Sequence, residues 1–268
     1  MGDYVNLALY AYVNCFVKGK TFFMKLNKNQ LARYKRQLML PEVGRDGQLK
    51  LMRSKVLIIG CGGLGSVNAL YLAAAGVGKI GIADGDRVEL SNLNRQIIHF
   101  TEDAGKRKTE SAVNKLSLLN PDVEIITYPV RVELKNICKL IRGYDFIIDC
   151  TDNIPARYMI NDACVKAGKP FSHAGVCRFK GQTMTVIPEK GPCYRCVFPE
   201  PPGELAVNGI LGTVAGLLGI IQATEAIKYI IGEGKLLAGK LLTYDALEMK
   251  FREIPIYRDK NCKTCGKK

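Results

Sequence analysis

The most constraining stretch of the chain is VLIIGCGGLGS, residues 56–66. An apolar run leads straight into Gly60, Gly62, Gly63 and Gly65. A short apolar run bounded by glycine reads as a strand buried on both faces. The glycines read as a sharp turn from that strand into the start of a helix. A helix N-terminus offers unpaired N–H groups and the positive end of a dipole, so such a turn cradles a phosphate. Gly60, Gly62 and Gly65 fit G-x-G-x-x-G, and Asp84 closes the next strand about 20 residues on, where a carboxylate can accept ribose hydroxyls. A nucleotide is therefore the expected ligand. The glycines alone do not choose between NAD and ATP, and with no Walker A pattern a P-loop ATPase is not expected.

Strands are expected at 56–59, 79–84, 123–129, 146–149 and 171–173, alternating with helices at 64–75, 106–119, 134–141 and 154–167. Upstream, residues 28–50 read as helical and basic, broken at Pro41. Beyond Gly181 the rhythm changes to an antiparallel strand at 182–187, the loop EPPGELAVNG, a long apolar helix at 211–231 and strands at 240–244 and 249–254. The expected fold class is α/β: a doubly wound, mainly parallel Rossmann-like sheet with added antiparallel strands and a C-terminal tail pinned by metal. Gly212 and Gly216 give helix 211–231 a G-x-x-x-G spacing. Gln222, Glu225 and Lys228 interrupt it, so a buried core helix is expected rather than a membrane span. Residues 1–26 read as an extension outside the fold, with Met24 an alternative start, and 27–268 as a single domain. Asp3, Asn6 and Asn14 argue against a signal peptide.

The net charge is +14, but the lysines and arginines are spread along the chain without a nucleic-acid-binding motif. They read as a solvated surface, or as attraction to an anion such as ATP or an acidic protein. Four of the ten cysteines form two C-x-x-C pairs, which reads as a metal site in a reducing, cytoplasmic setting. Cys15, Cys61, Cys138, Cys150, Cys164 and Cys177 are expected to be small buried residues.

The residues beyond the glycine turn separate the nucleotides. DGDRVELSNLNRQ, residues 84–96, places Asp84, Asn92, Asn94, Arg95 and Gln96 just past the second strand. A guanidinium such as Arg95 holds two phosphate oxygens at once. Lys108, in GKRKTES, adds a second cation at the same sheet edge. DCTDN, residues 149–153, brings Asp149 and Asp152, and carboxylates there can hold Mg²⁺ against a polyphosphate. Each residue also has a plain reading: Arg95 and Lys108 as surface charges, Asp152 as a helix cap. Together they fit nucleotidyl transfer better than hydride transfer. His99 and His173 are expected to pack or hydrogen bond rather than catalyse.

These residues, with RYKRQ, CYRC, EAIKYIIG, YDALEMKFRE and CKTCG, resemble the ThiF/MoeB/HesA group, relatives of ubiquitin-activating enzymes, from Leu31 to about Gly266. The resemblance implies adenylation of the C-terminal glycine of a small ubiquitin-like sulfur-carrier protein ending in Gly-Gly, with MgATP consumed and pyrophosphate released. It also implies a homodimer, and service to a molybdopterin, thiamine or tRNA-thiolation pathway. By resemblance, the turn around Gly63 approaches the phosphates, Asp84 holds the ribose, and Ser91, Asn92, Leu93, Asn94 and Arg95 line the pocket. Lys108 neutralises charge on the α-phosphate, Asp152 binds Mg²⁺ beside Asn153, and Arg36 reaches the partner subunit's ATP.

Cys193, Cys196, Cys262 and Cys265 have spacing suited to a closed, structural zinc site, and the resembling family uses the same four positions. Some family members carry a further cysteine in the loop after the first pair, and FPEPPGELAVNGILG has none. No covalent step through this chain is expected, and sulfur is expected from a separate donor. Two other readings stand beside this one: an NAD-dependent oxidoreductase, and a non-catalytic carrier-binding relative.

Overall fold

The computed structural model describes residues 16–17, 20–21, 25–201 and 209–266. Within the N-terminal extension Phe16–Val17 pairs antiparallel with Lys20–Thr21, and the reading of Met24 as a start lies outside the described residues.

Eight strands form the main sheet: β1 Lys55–Ile59, β2 Lys79–Ala83, β3 Glu124–Tyr128, β4 Phe146–Asp149, β5 Phe171–Cys177, β6 Lys180–Val186, β7 Lys240–Asp245 and β8 Lys250–Pro255. Their order is β8-β7-β6-β5-β4-β1-β2-β3. Along that order, the pairs from β3 to β5 are parallel and those from β5 to β8 antiparallel. The chain leaves β1 toward β2 on one side and returns to β4 on the other. A crevice therefore opens at the carboxyl ends of β1 and β4, where doubly wound sheets bind ligands.

Helices cover both faces: α1 Lys28–Arg33, α2 Lys35–Leu38, α3 Gly44–Arg53, α4 Gly63–Ala75, α5 Lys108–Leu119, α6 Ile137–Arg142, α7 Ile154–Lys166, α8 Tyr194–Val197 and α9 Gly212–Ile231. Val56 and Ile58 of β1 pack under α4, α5 and α9, while Leu57 and Ile59 pack under α6 and α7. That is why β1 reads as an unbroken apolar run: side chains on both faces are buried.

Several expectations need correction, among them the helix expected at 134–141, which starts at Ile137. The strand expected at 171–173 runs on to Cys177, because β6 pairs with it along its whole length after β4 has ended. The helix expected from 106 starts at Lys108, because Lys106 and Arg107 bridge back toward Val88 and Arg87. Cys61, Cys150 and Cys164 are buried as expected, but Cys138 and Cys177 are exposed. Cys138 sits beside Ile137, the residue that turns into the core in the first turn of α6, and Cys177 lies at the β5–β6 hairpin. Cys15 lies outside the described residues.

Among the described residues α9 is the one helix long and apolar enough to cross a membrane, and half of that stretch is buried in protein. Its polar residues hold it there. Asn68 Nδ2 of α4 donates to Gln222 Oε1 at 3.1 Å, and Gln222 Nε2 donates to the Asp149 and Ser172 carbonyls at 2.9 and 3.2 Å. Glu225, buried, accepts Thr185 Oγ1 at 2.6 Å and the Leu237 N–H at 2.7 Å.

Candidate active site

The glycine turn closes the crevice from below. Gly60 has φ +97°, a conformation L side chains rarely adopt. Gly65, in the first turn of α4, lies so close that a Cβ there would stand 1.9 Å from the Gly60 carbonyl oxygen. Asp84 locks the turn to the end of β2: Cys61 N–H donates to its Oδ2 at 2.7 Å and Asp86 N–H to its Oδ1 at 2.8 Å. His99 backs the turn, with Nε2 3.2 Å from the Cys61 carbonyl and Nδ1 2.8 Å from Ser111 Oγ. Burial pushes its pKa down, so it serves as a neutral hydrogen-bonding strut.

Above the turn is a cleft of about 620 Å³. Gly60, Gly62, Gly63, Asp84, Arg95, Lys108, Asp152 and Asn153 line it. Gly65, Ser91, Asn92, Leu93 and Asn94 do not, and Arg36 is exposed on α2 outside it. The 90–94 segment instead aims Arg95. The Ser91 carbonyl and Asn94 Oδ1 accept the Arg95 guanidinium at 3.0 and 3.1 Å. Asn92 is buried and fastens its own turn through the Glu89 N–H.

Lys108 is only 7% exposed, with Nζ 3.1 Å from Asp86 Oδ2. Arg131 contacts the other Asp86 oxygen at 3.1 Å. Burial raises the Asp86 carboxyl, but Lys108 and then Arg131 outweigh it and hold it below the usual carboxylate range. Asp86 thus parks two cations at the cleft wall. The second aspartate of DGD was its sequence signal. Arg131 carried none, since it enters from the segment after β3.

Of the two aspartates in DCTDN only Asp152 faces the cleft, which corrects the expectation for Asp149. Asp149 is 1% exposed and turns inward. Its Oδ2 accepts His173 Nδ1 at 2.8 Å, and its Oδ1 accepts the Thr151 N–H and Oγ1 at 3.0 and 2.7 Å. Burial raises the Asp149 carboxyl, yet the His173 hydrogen bond keeps it low and ionised, while burial keeps His173 down and neutral. The pair anchors the turn that presents Asp152, which is exposed and has no hydrogen-bond or ion-pair partner among the described residues. The cap of α7 is Asn153, whose Oδ1 accepts the Ala156 N–H at 2.9 Å. Asn153→Ala is expected to lower stability in urea by about 1 kcal/mol, whereas Asp152→Ala leaves it unchanged. Equal losses for both would remove the distinction.

On the far side of α7 the four paired cysteines meet. All four Sγ atoms lie within 4.8 Å of one another, with Cys193–Cys262 at 3.6 Å and Cys196–Cys265 at 3.4 Å. Four thiolates at about 2.3 Å from one zinc ion stand roughly 3.8 Å apart, so the cluster fits a tetrahedral metal.

The ThiF family model matches residues 34–265. This chain belongs to the ThiF family. Among similar proteins, the sulfur carrier protein adenylyltransferase of Thermus thermophilus is 45% identical over 253 residues, 91% of this chain and 93% of that protein. The SAMP-activating enzyme E1 of Haloferax volcanii is 43% identical, covering 91% and 92%. Adenylyltransferase and sulfurtransferase MOCS3 of Mus musculus is 47% identical across 90% of this chain but only 54% of its own length. In fold, the chain resembles the crystal structure of E. coli MccB with MccA-N7isoASN, at a TM-score of 0.81 and 24% identity, over 90% of this chain and 76% of that one.

Proposed function

We propose that this ThiF-family chain adenylates the C-terminal glycine of a small ubiquitin-like sulfur-carrier protein, using ATP and releasing pyrophosphate. The carrying observation is that Asp84, Arg95, Lys108 and Asp152 converge on one cleft at the switch point of the sheet. The similarity to a sulfur carrier protein adenylyltransferase over nearly the full length of both chains supports it.

ATP enters with its phosphates over the glycine turn and its ribose at Asp84. The carrier carboxylate attacks the α-phosphorus, forming an acyl-adenylate, and pyrophosphate leaves. Lys108 meets the charge that grows on the α-phosphate, and Arg95 holds the departing oxygens. The attacking carboxylate is already ionised at neutral pH, so no general base is required, in keeping with two histidines that are both buried and structurally engaged. Asp152, facing the cleft without a partner among the described residues, would hold Mg²⁺, which when bound neutralises polyphosphate charge. The four cysteines would hold a structural zinc that ties the tail to α7 and α8.

In a homodimer, Arg36, exposed on α2, would reach a second copy's cleft. Sulfur comes from a separate donor, and carriers of molybdenum cofactor biosynthesis are among the candidates. An NAD-dependent oxidoreductase would leave Arg95, Lys108 and the cysteine cluster without a role, and a non-catalytic relative would leave the cleft cations without one.

The test is ATP–pyrophosphate exchange with each Gly-Gly-ended carrier of the source organism in turn. Exchange with one carrier, abolished by deleting its last glycine, is the expected result. Silence with all of them, in folded and metal-loaded protein, would point to the non-catalytic reading. Exposed Cys177 offers a second check: a carrier adduct that survives denaturing electrophoresis and disappears in Cys177→Ala would overturn the absence of a covalent step.

A further inference from the structure

Both C-x-x-C segments fasten to the same carboxylate. Arg195, third residue of Cys-Tyr-Arg-Cys, donates Nε to Asp162 Oδ1 at 2.9 Å and a terminal nitrogen to Oδ2 at 2.8 Å. Thr264, third residue of Cys-Lys-Thr-Cys, donates its hydroxyl to Asp162 Oδ1 at 2.6 Å. Asn161 adds its amide to Asp162 Oδ1 at 2.9 Å, while its own Oδ1 accepts the Tyr194 N–H at 2.9 Å. The Arg195 guanidinium also lies over the Tyr158 ring, 4.6 Å from its centroid. The Arg195 side chain is 18% exposed, so the bidentate pair is largely shielded on the arginine side.

We propose that Asp162 is a positioning residue for the metal site. It holds the two cysteine segments in register so that four sulfurs converge before a metal arrives. The proposal rests on the reading of the cluster as a zinc site. The two segments are far apart in sequence, and bringing them together costs loop-closure entropy. Without the clamp, the tail keeps an exposed Lys263–Glu200 ion pair at 2.5 Å and the Asp259 N–H on Cys196 Sγ at 3.5 Å, and more of the gathering falls to the metal. With it, α7 serves as a template for both pairs, and part of the ordering is done before binding. The same helix carries Asn153 as its cap and follows directly from Asp152, so the clamp attaches the tail to the element that presents the cleft carboxylate.

Asp162→Asn removes the charge and weakens the fork to Arg195, and Thr264→Val removes one hydroxyl from the other segment. Metal content is measured on the purified chain, together with zinc release to a chromophoric chelator and urea stability of the metal-free proteins. The expected wild-type result is one zinc per chain. Asp162→Asn is expected to release it about 10–100-fold faster, as loss of a group that orients ligands does. Thr264→Val is expected to release it faster by a smaller factor, and in its metal-free form Cys262 and Cys265 are alkylated sooner than Cys193 and Cys196. Unchanged zinc release in both variants would overturn the proposal, including where metal-free stability falls, because Asp162 would then be an ordinary ion pair. Absence of zinc from the wild-type chain would instead overturn the zinc reading, and the proposal with it. Should Asp162→Asn fail to fold, Thr264→Val decides alone.

Discussion

Lys108→Ala lowers the rate of carrier-dependent ATP–pyrophosphate exchange by about 10²–10³-fold, the usual loss when one preorganised charge-stabilising donor is removed. The loss falls mainly on kcat rather than on the KM for ATP, because the charge Lys108 meets develops in the transition state. Folding survives. The Asp86 side chain is 46% exposed and keeps Arg131 as a partner, so no carboxylate is stranded in the interior. The change in stability should stay within about 1–2 kcal/mol, the lost packing of the buried lysine stem included. Lys108→Arg restores little, since a planar fork does not replace a compact ammonium in a buried position. A variant that folds and exchanges at near-normal kcat would remove Lys108 from the proposed chemistry.

Gly65→Ala is the second large effect, and it acts through the backbone. The new methyl would stand 1.9 Å from the Gly60 carbonyl oxygen, and that oxygen cannot swing aside as a side chain would. Gly60 is held by its own N–H bond to the Ala83 carbonyl at 2.8 Å and by its left-handed φ. Either α4 retreats or the turn deforms. A loss of roughly 3 kcal/mol is expected, near the upper end for single substitutions. Differential scanning calorimetry would show it as a fall in Tm of about 6–12 °C. Exchange falls with it, because the displaced turn is the proposed phosphate cradle. Gly143→Ala is the control: nothing lies within 4 Å of its Cβ position and its φ is negative, so Tm should barely move. Equal behaviour of the two variants would show that the close approach at Gly65 is not limiting.

Much of the fold was legible because it is written in neighbours. The unbroken apolar run of β1, the glycine spacing after it and the alternation of strand and helix are local patterns with local physical causes: burial on both faces, backbone approach and hydrogen-bond periodicity. The placement of Gly60, Asp84, Arg95, Lys108 and Asp152 at one sheet edge results from that rhythm, since parallel strands bring all their carboxyl ends to one side. The four cysteines were legible for another reason: their spacing announces a ligand set wherever the chain carries them.

The direction of each side chain at that edge was decided elsewhere. Asp149 and Asp152 belong to one pentapeptide, yet the first is buried on His173 and the second lines the cleft, unpaired among the described residues. Only β5, arriving alongside β4, supplies the histidine that makes the difference. Arg131 comes to Asp86 from the segment after β3, and Asp162 joins two cysteine segments far apart in the chain. The sequence alone determined which elements form and which ends they share, because those depend on residues a few positions apart. Which carboxylate is buried, which is paired and which is left free depends on partners brought together by packing, and only the tertiary structure decided that.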